Sequence, residues 1–158
     1  MSEGGKKAVR AEGTVGIGVS SRFRIAPTPE LVIDEAIKRE DWFSAFSNAV
    51  SYFEFWAYIW LWRYCQKENM HIEEIIKGLN ARELNLILYL MKLTDSNFFH
   101  KMKKTISERN FYVHPEKTEE MLGYRHKESK EEKEEALRYL EDAKYCTKKV
   151  REGAVSFK

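Results

Sequence analysis

The segment Glu108-Arg109-Asn110-Phe111-Tyr112-Val113-His114-Pro115 gathers residue types that can handle a phosphate. Arg109 carries a permanent charge on a planar fork of N–H donors that matches phosphate oxygens. His114, with an ordinary pKa of about 6.5, can take up or release a proton near neutral pH. On an unbroken helix the two side chains would stand well apart in angle. Pro115 alters this, because the residue before a proline is pushed out of the α region, so the chain is expected to unwind after Tyr112. The imidazole can then fold back toward the guanidinium, and both can face one phosphate.

Two further sets of residues bear on this segment. Lys101, Lys103 and Lys104 precede it on the same helix, and His100 and Lys117 flank it. Of these, Lys101, Lys104 and Lys117 are the candidates for tracking a nucleic-acid backbone; the alternative is a solvated helix face. Glu54 shares a polar strip with Ser47, Ser51 and Tyr58 on an otherwise apolar helix. That strip either faces water or faces the motif, in which case Glu54 pairs with Arg109 or orients His114, since a buried carboxylate is rarely left without a partner.

The elements that must hold these groups read as helices. Thr28, followed by Pro29 and Glu30, is an N-cap signature opening a helix to about Arg39. Asp41 caps a second helix to about Glu68, in which aromatic residues recur on nearly every side from Trp42 to Tyr64. Phe53, Trp56, Ala57 and Trp60 are expected to be buried there, with any exposed remainder at a subunit contact. Glu54 breaks the apolar run short of the roughly 20 residues a membrane span needs. A short helix over His71 to Lys77 should stop at Gly78. Asn80 with Glu83 forms a capping box for a helix carrying Leu84, Ile87, Leu88, Met91 and Leu93. Asp95 or Ser96 opens the helix of the motif, with Phe99, Met102 and Ile106 on one face at steps of three and four. Residues 115 to 128 form a polar connection. The last helix should run from about Ser129 to Glu152 with Leu137, Leu140, Ala143 and Val150 inward, and Gly153 is its expected stop.

Composition bounds the rest. A length of 158 residues fits one domain with a core of its own. Residues 1–27 read as a flexible tail rich in glycine, in which Val15, Ile17 and Val19 alternate with glycine as a short strand would; 28–153 form the domain and 154–158 a C-terminal tail. The glycines of the tail make no phosphate loop. The net charge of +2, from 27 basic against 25 acidic residues, is too balanced to signal nucleic acid in bulk, so RNA contact would have to be local. Cys65 and Cys146 are the only cysteines and form no metal-ligand pattern, so no disulfide, no metal and no cofactor is expected, and a reducing cytoplasm fits best. With no strand-rich stretch or heptad repeat, the fold class expected is all-α, an antiparallel helical bundle.

The motif resembles that of the HEPN family of RNA-cutting and RNA-binding helical domains, whose hallmark is an Arg, a polar residue directly after it and a His a few residues on; here these are Arg109, Asn110 and His114. The likeness in organisation covers most of residues 28 to 152. It implies a bundle that forms a homodimer, joins two motifs, and in many members cleaves RNA without metal. In that chemistry His114 takes or gives the proton of 2'-hydroxyl attack, Arg109 stabilises phosphoryl charge and Asn110 orients the imidazole or holds the ribose. The second acid-base group would be the His114 of the other copy. An antitoxin-like or nucleotidyltransferase protein partner is a further implication. Glu116 stands where some toxins of the family carry a Tyr that their antitoxin modifies, so that control is not carried over. Two alternatives stay open: an RNA- or nucleotide-binding module of the same fold without cleavage, and a structural helical domain whose aromatic helix binds another protein.

Overall fold

The computed structural model describes residues 28–113 and 129–157. Among these are six helices and no strand: α1 (Pro29–Lys38), α2 (Trp42–Lys67), α3 (Glu73–Lys77), α4 (Ala81–Leu90), α5 (Ser96–Val113) and α6 (Lys130–Ser156). The fold is all-α. The tail over 1–27 with Val15, Ile17 and Val19, the connection over 115–128, and with them His114, Glu116 and Lys117, lie outside the described residues.

Five of the six helices begin where a side chain satisfies amides that a first turn leaves without partners, the exception being the short α3 after Ile72. The Thr28 hydroxyl accepts from Leu31 N–H at 3.3 Å, Asp41 from Ser44 N–H at 3.0 Å and Asp95 from Phe98 N–H at 2.8 Å. Asn80 with Glu83 and Ser129 with Glu132 form complete capping boxes. Three helices end differently. Glu40, Asn69 and Lys92 follow α1, α2 and α4 with φ of 55°, 53° and 58°, the left-handed turn usually assigned to glycine.

The central element is α2, against which α1, α4, α5 and α6 all pack. Its inward side divides the core in two. At its start, Ala45, Phe46 and Ala49 meet Ile33 and Ala36 of α1 and Ala136, Leu140 and Ala143 of α6, so small residues let three helices approach closely. Further on, Val50, Phe53, Ala57, Leu61 and Cys65 meet Leu84 and Leu88 of α4, Phe98, Met102 and Ile106 of α5 and Val150 of α6.

Four expectations are corrected. Trp56 and Trp60 are only partly buried, packed against the core from its edge, while Phe53 and Ala57 are fully inside. Phe98 fills the core position expected of Phe99, because steps of four carry the stripe from Phe98 to Met102 and Ile106; Phe99 is half-buried and stacks on Tyr89. On α6 the inward residue is Ala136, and Leu137 stays 38% exposed. Finally, α6 runs through Gly153 to Ser156. Arg63 of α2 donates to the carbonyls of Ala154 and Val155, which the helix end would otherwise leave without N–H donors. Gly153 is there for proximity: a Cβ at that position would fall 2.6 Å from the indole ring of Trp60.

Candidate functional site

Arg109 and Asn110 lie near the C-terminal end of α5 and are half-buried. The Arg109 Nε–H donates to Asn110 Oδ1 at 2.8 Å, so the amide steers the guanidinium from the adjacent position. On its far side, Arg109 Nη2 stands 3.8 Å from Glu54 Oε1 of α2. That separation is an ion pair but too long for a direct hydrogen bond. The same carboxylate oxygen accepts the N–H of Ala81, the first residue of α4, at 3.0 Å.

Glu54 therefore sits at the meeting of three helices. The first amides of α4 are divided between two acceptors: Asn80 takes Arg82 N–H and Glu83 N–H, and Glu54 takes Ala81 N–H. A carboxylate at a helix N-terminus also opposes the partial positive charge there. Its charge is thus shared between a helix end and a guanidinium. Among the described residues Arg109 makes no further hydrogen bond, so its outer N–H donors are open, with its side chain 20% exposed. The polar strip of α2 faces the motif at Glu54.

The lysines are placed elsewhere. Lys101 Nζ is 2.8 Å from Asp142 of α6, and this hydrogen bond raises the ammonium pKa above its ordinary value. The same ammonium lies 5.2 Å from the centre of the Tyr145 ring. Lys104 sits 6.0 Å from the Tyr139 ring, also on α6. Lys101 and Lys104 thus turn toward α6, whereas Arg109 turns toward α2 and α4. His114 and Lys117 lie outside the described residues.

Sequence reasoning missed the Ala81 amide as the second partner of Glu54. The capping box at Asn80 marks a helix start, but nothing in it tells which distant side chain meets the remaining amide. It likewise missed Asp142, whose pairing with Lys101 depends on how α5 lies along α6.

Cys65 and Cys146 are buried free thiols. Burial pushes the Cys146 thiol up to about 12, and burial with the nearby Glu73 carboxylate raises that of Cys65. Neither can act as a ready thiolate nucleophile. Among the described residues no three His, Cys, Asp or Glu side chains gather as a metal site, and no helix is long and apolar enough to cross a membrane. No protein family, no curated protein and no solved structure matches the chain.

Proposed function

We propose that the chain is a metal-independent endoribonuclease of the HEPN type. The observation that supports this reading is the state of Arg109. Asn110 and Glu54 flank the guanidinium on two sides, yet the Glu54 contact is 3.8 Å and, among the described residues, the outer N–H donors make no hydrogen bond. A charge held in place before substrate arrives is what stabilises a phosphoryl group in the transition state, because nothing must reorganise.

In this reading single-stranded RNA binds with its scissile phosphate at Arg109. His114 removes the 2'-hydroxyl proton as the oxygen attacks phosphorus, and the leaving 5'-oxygen is protonated by the His114 of a second copy. Asn110 holds the ribose or the imidazole. The products are a cyclic phosphate, or the 3'-phosphate formed from it, and a 5'-hydroxyl.

Homodimerisation is part of the proposal. Tyr52, Phe55, Ile59 and Trp62 recur on one side of α2, and Phe55 and Trp62 are 50% and 40% exposed. Large apolar side chains in a row of this kind suit a subunit contact. Two buried free thiols suit a reducing compartment such as the cytoplasm. An antitoxin-like or nucleotidyltransferase partner belongs to the same reading.

A binding module without cleavage is the second reading, favoured by the ion pair that engages Arg109 within the fold. The two separate in one experiment on purified protein with single-stranded RNA in the presence of chelator. Cleavage that leaves a cyclic phosphate and falls about two to four orders of magnitude in His114→Ala supports the nuclease. RNA binding that weakens steeply with salt and depends on Arg109, without cleavage, supports the module. If the protein neither cuts nor binds RNA, both readings fail.

A further inference from the structure

At the opposite end of α5, about 20 Å along the helix from Arg109, a cleft of about 290 Å³ opens between the start of α5 and the second half of α6. Its apolar wall is formed by Trp60, Phe98 and Tyr145, and Lys92 and Lys149 stand at it with Thr94 and Asp95. We propose that this cleft binds a small planar ring bearing an oxyanion, either a phosphate or a carboxylate. The inference does not rest on the RNA reading, since none of these residues belongs to the motif.

The polar groups of the cleft are mostly donors. Trp60 Nε1 can only donate, and it is shielded from solvent with no hydrogen-bond partner. Thr94 Oγ1 is in the same condition. A buried polar group left without a partner costs about 1–3 kcal/mol, and both residues border the cleft, where an oxyanion could take their N–H and O–H.

The charges point the same way. Lys92 and Lys149 are exposed, and among the described residues neither has a carboxylate within ion-pair distance. This contrasts with Lys101, which faces the same Tyr145 ring but is held by Asp142. Lys149 Nζ lies 5.6 Å from the Tyr145 ring centre. The one acidic member, Asp95, uses Oδ1 to cap α5 through Phe98 N–H. Two lysines against one carboxylate leave the cleft net positive, beside the positive end of an 18-residue helix. An oxyanion accepts at every edge and so matches this donor-rich lining. The aromatic walls favour a ring behind it, and the volume lies at the lower end of the range for ligand pockets, which limits the occupant to about one ring and its charged group.

The test uses phenyl phosphate and benzoate as probes, with phenol as the uncharged control, and follows the indole N–H signals of the four tryptophans by two-dimensional NMR. Loss of one signal in Trp60→Phe identifies the reporter. Saturable movement of that signal by phenyl phosphate or benzoate, with Kd at or below about 1 mM, is the expected result. The double variant Lys92→Gln/Lys149→Gln should weaken it by about tenfold or more, and phenol should have little effect. Preference for phenyl phosphate or for benzoate assigns the oxyanion. The proposal is overturned if neither probe moves the signal saturably, if the double variant binds as well as the parent, or if phenol binds equally well. Inorganic phosphate binding as tightly as phenyl phosphate would overturn the ring.

Discussion

Gly153 of α6 and Trp60 of α2 touch face to face: the indole ring occupies the space where a side chain at 153 would begin. Ordinarily an alanine in place of a helical glycine gains about 1 kcal/mol. Here the added methyl would come 2.6 Å from the ring carbons of a side chain packed against the core. Gly153→Ala should therefore lower stability by about 1–3 kcal/mol in denaturant unfolding. An increase in stability would mean that Trp60 moves freely.

The loose pair between Arg109 and Glu54 separates a functional arginine from a bracing one. A partly exposed ion pair of this kind contributes about 0–1 kcal/mol, so Arg109→Ala should unfold within that margin of the parent. If Arg109 stabilises the transition state, the same variant should lose about two to three orders of magnitude in RNA cleavage. A large drop in melting temperature with no effect on RNA would reverse this assignment. Glu54→Ala is expected to be the costlier change for the fold, because Ala81 N–H then loses its acceptor as well.

At the start of α2, hydrogen bonds from Ser44, its side chain and its backbone N–H, hold the Asp41 carboxyl below its ordinary pKa. Asp41→Ala should cost about 1 kcal/mol. The pH dependence follows from the direction of the shift. A group with a depressed folded pKa contributes fully above its unfolded value of about 3.9 and loses that contribution as pH falls through the folded value. The stability gap between the parent and Asp41→Asn should therefore be constant at neutral pH and narrow below about pH 4. A gap unchanged in acid would show that the carboxylate charge has no part in the cap.

Cys146 is buried, with its thiol raised to about 12, and should resist alkylation at pH 8 until the protein unfolds. Melting with and without reductant should coincide, since neither cysteine is bonded. Rapid labelling of the native protein at Cys146 would contradict the burial.

Helix starts were legible because their determinants are local. Thr28, Asp41, Asn80 with Glu83, and Ser129 each announce a first turn through residues within three positions. The ends near Arg39, Glu68 and Gly78 were legible to within about a residue, but the end of the last helix was not, and glycine did not mark the left-handed turns. Gly153 reads as a stop but serves a contact with a helix about ninety residues earlier in the chain, while Glu40, Asn69 and Lys92 take the left-handed turn without being glycine. Side-chain register failed where two similar candidates stood together, as with Phe98 and Phe99, or where a smaller residue won, as with Ala136 over Leu137. In that second case the approach of α1 and α2 sets the available room, which periodicity along α6 cannot express. At the motif, a meeting of Glu54 with Arg109 was one of two open readings, but the Ala81 amide depends on the placement of α4 and carries no sequence signal.

The position of α6 has a consequence for synthesis. It lies along α2 and reaches α1 through Lys144 to Asp34 and Arg151 to Glu30, so the groove that the first two helices form is filled by the last one. On the ribosome, Ala45, Phe46 and Ala49 emerge long before Leu140 and Ala143 can cover them. Closure of the bundle has to wait until α6 has cleared the exit tunnel, and during that interval the nascent chain carries an uncovered apolar groove that a chaperone can hold.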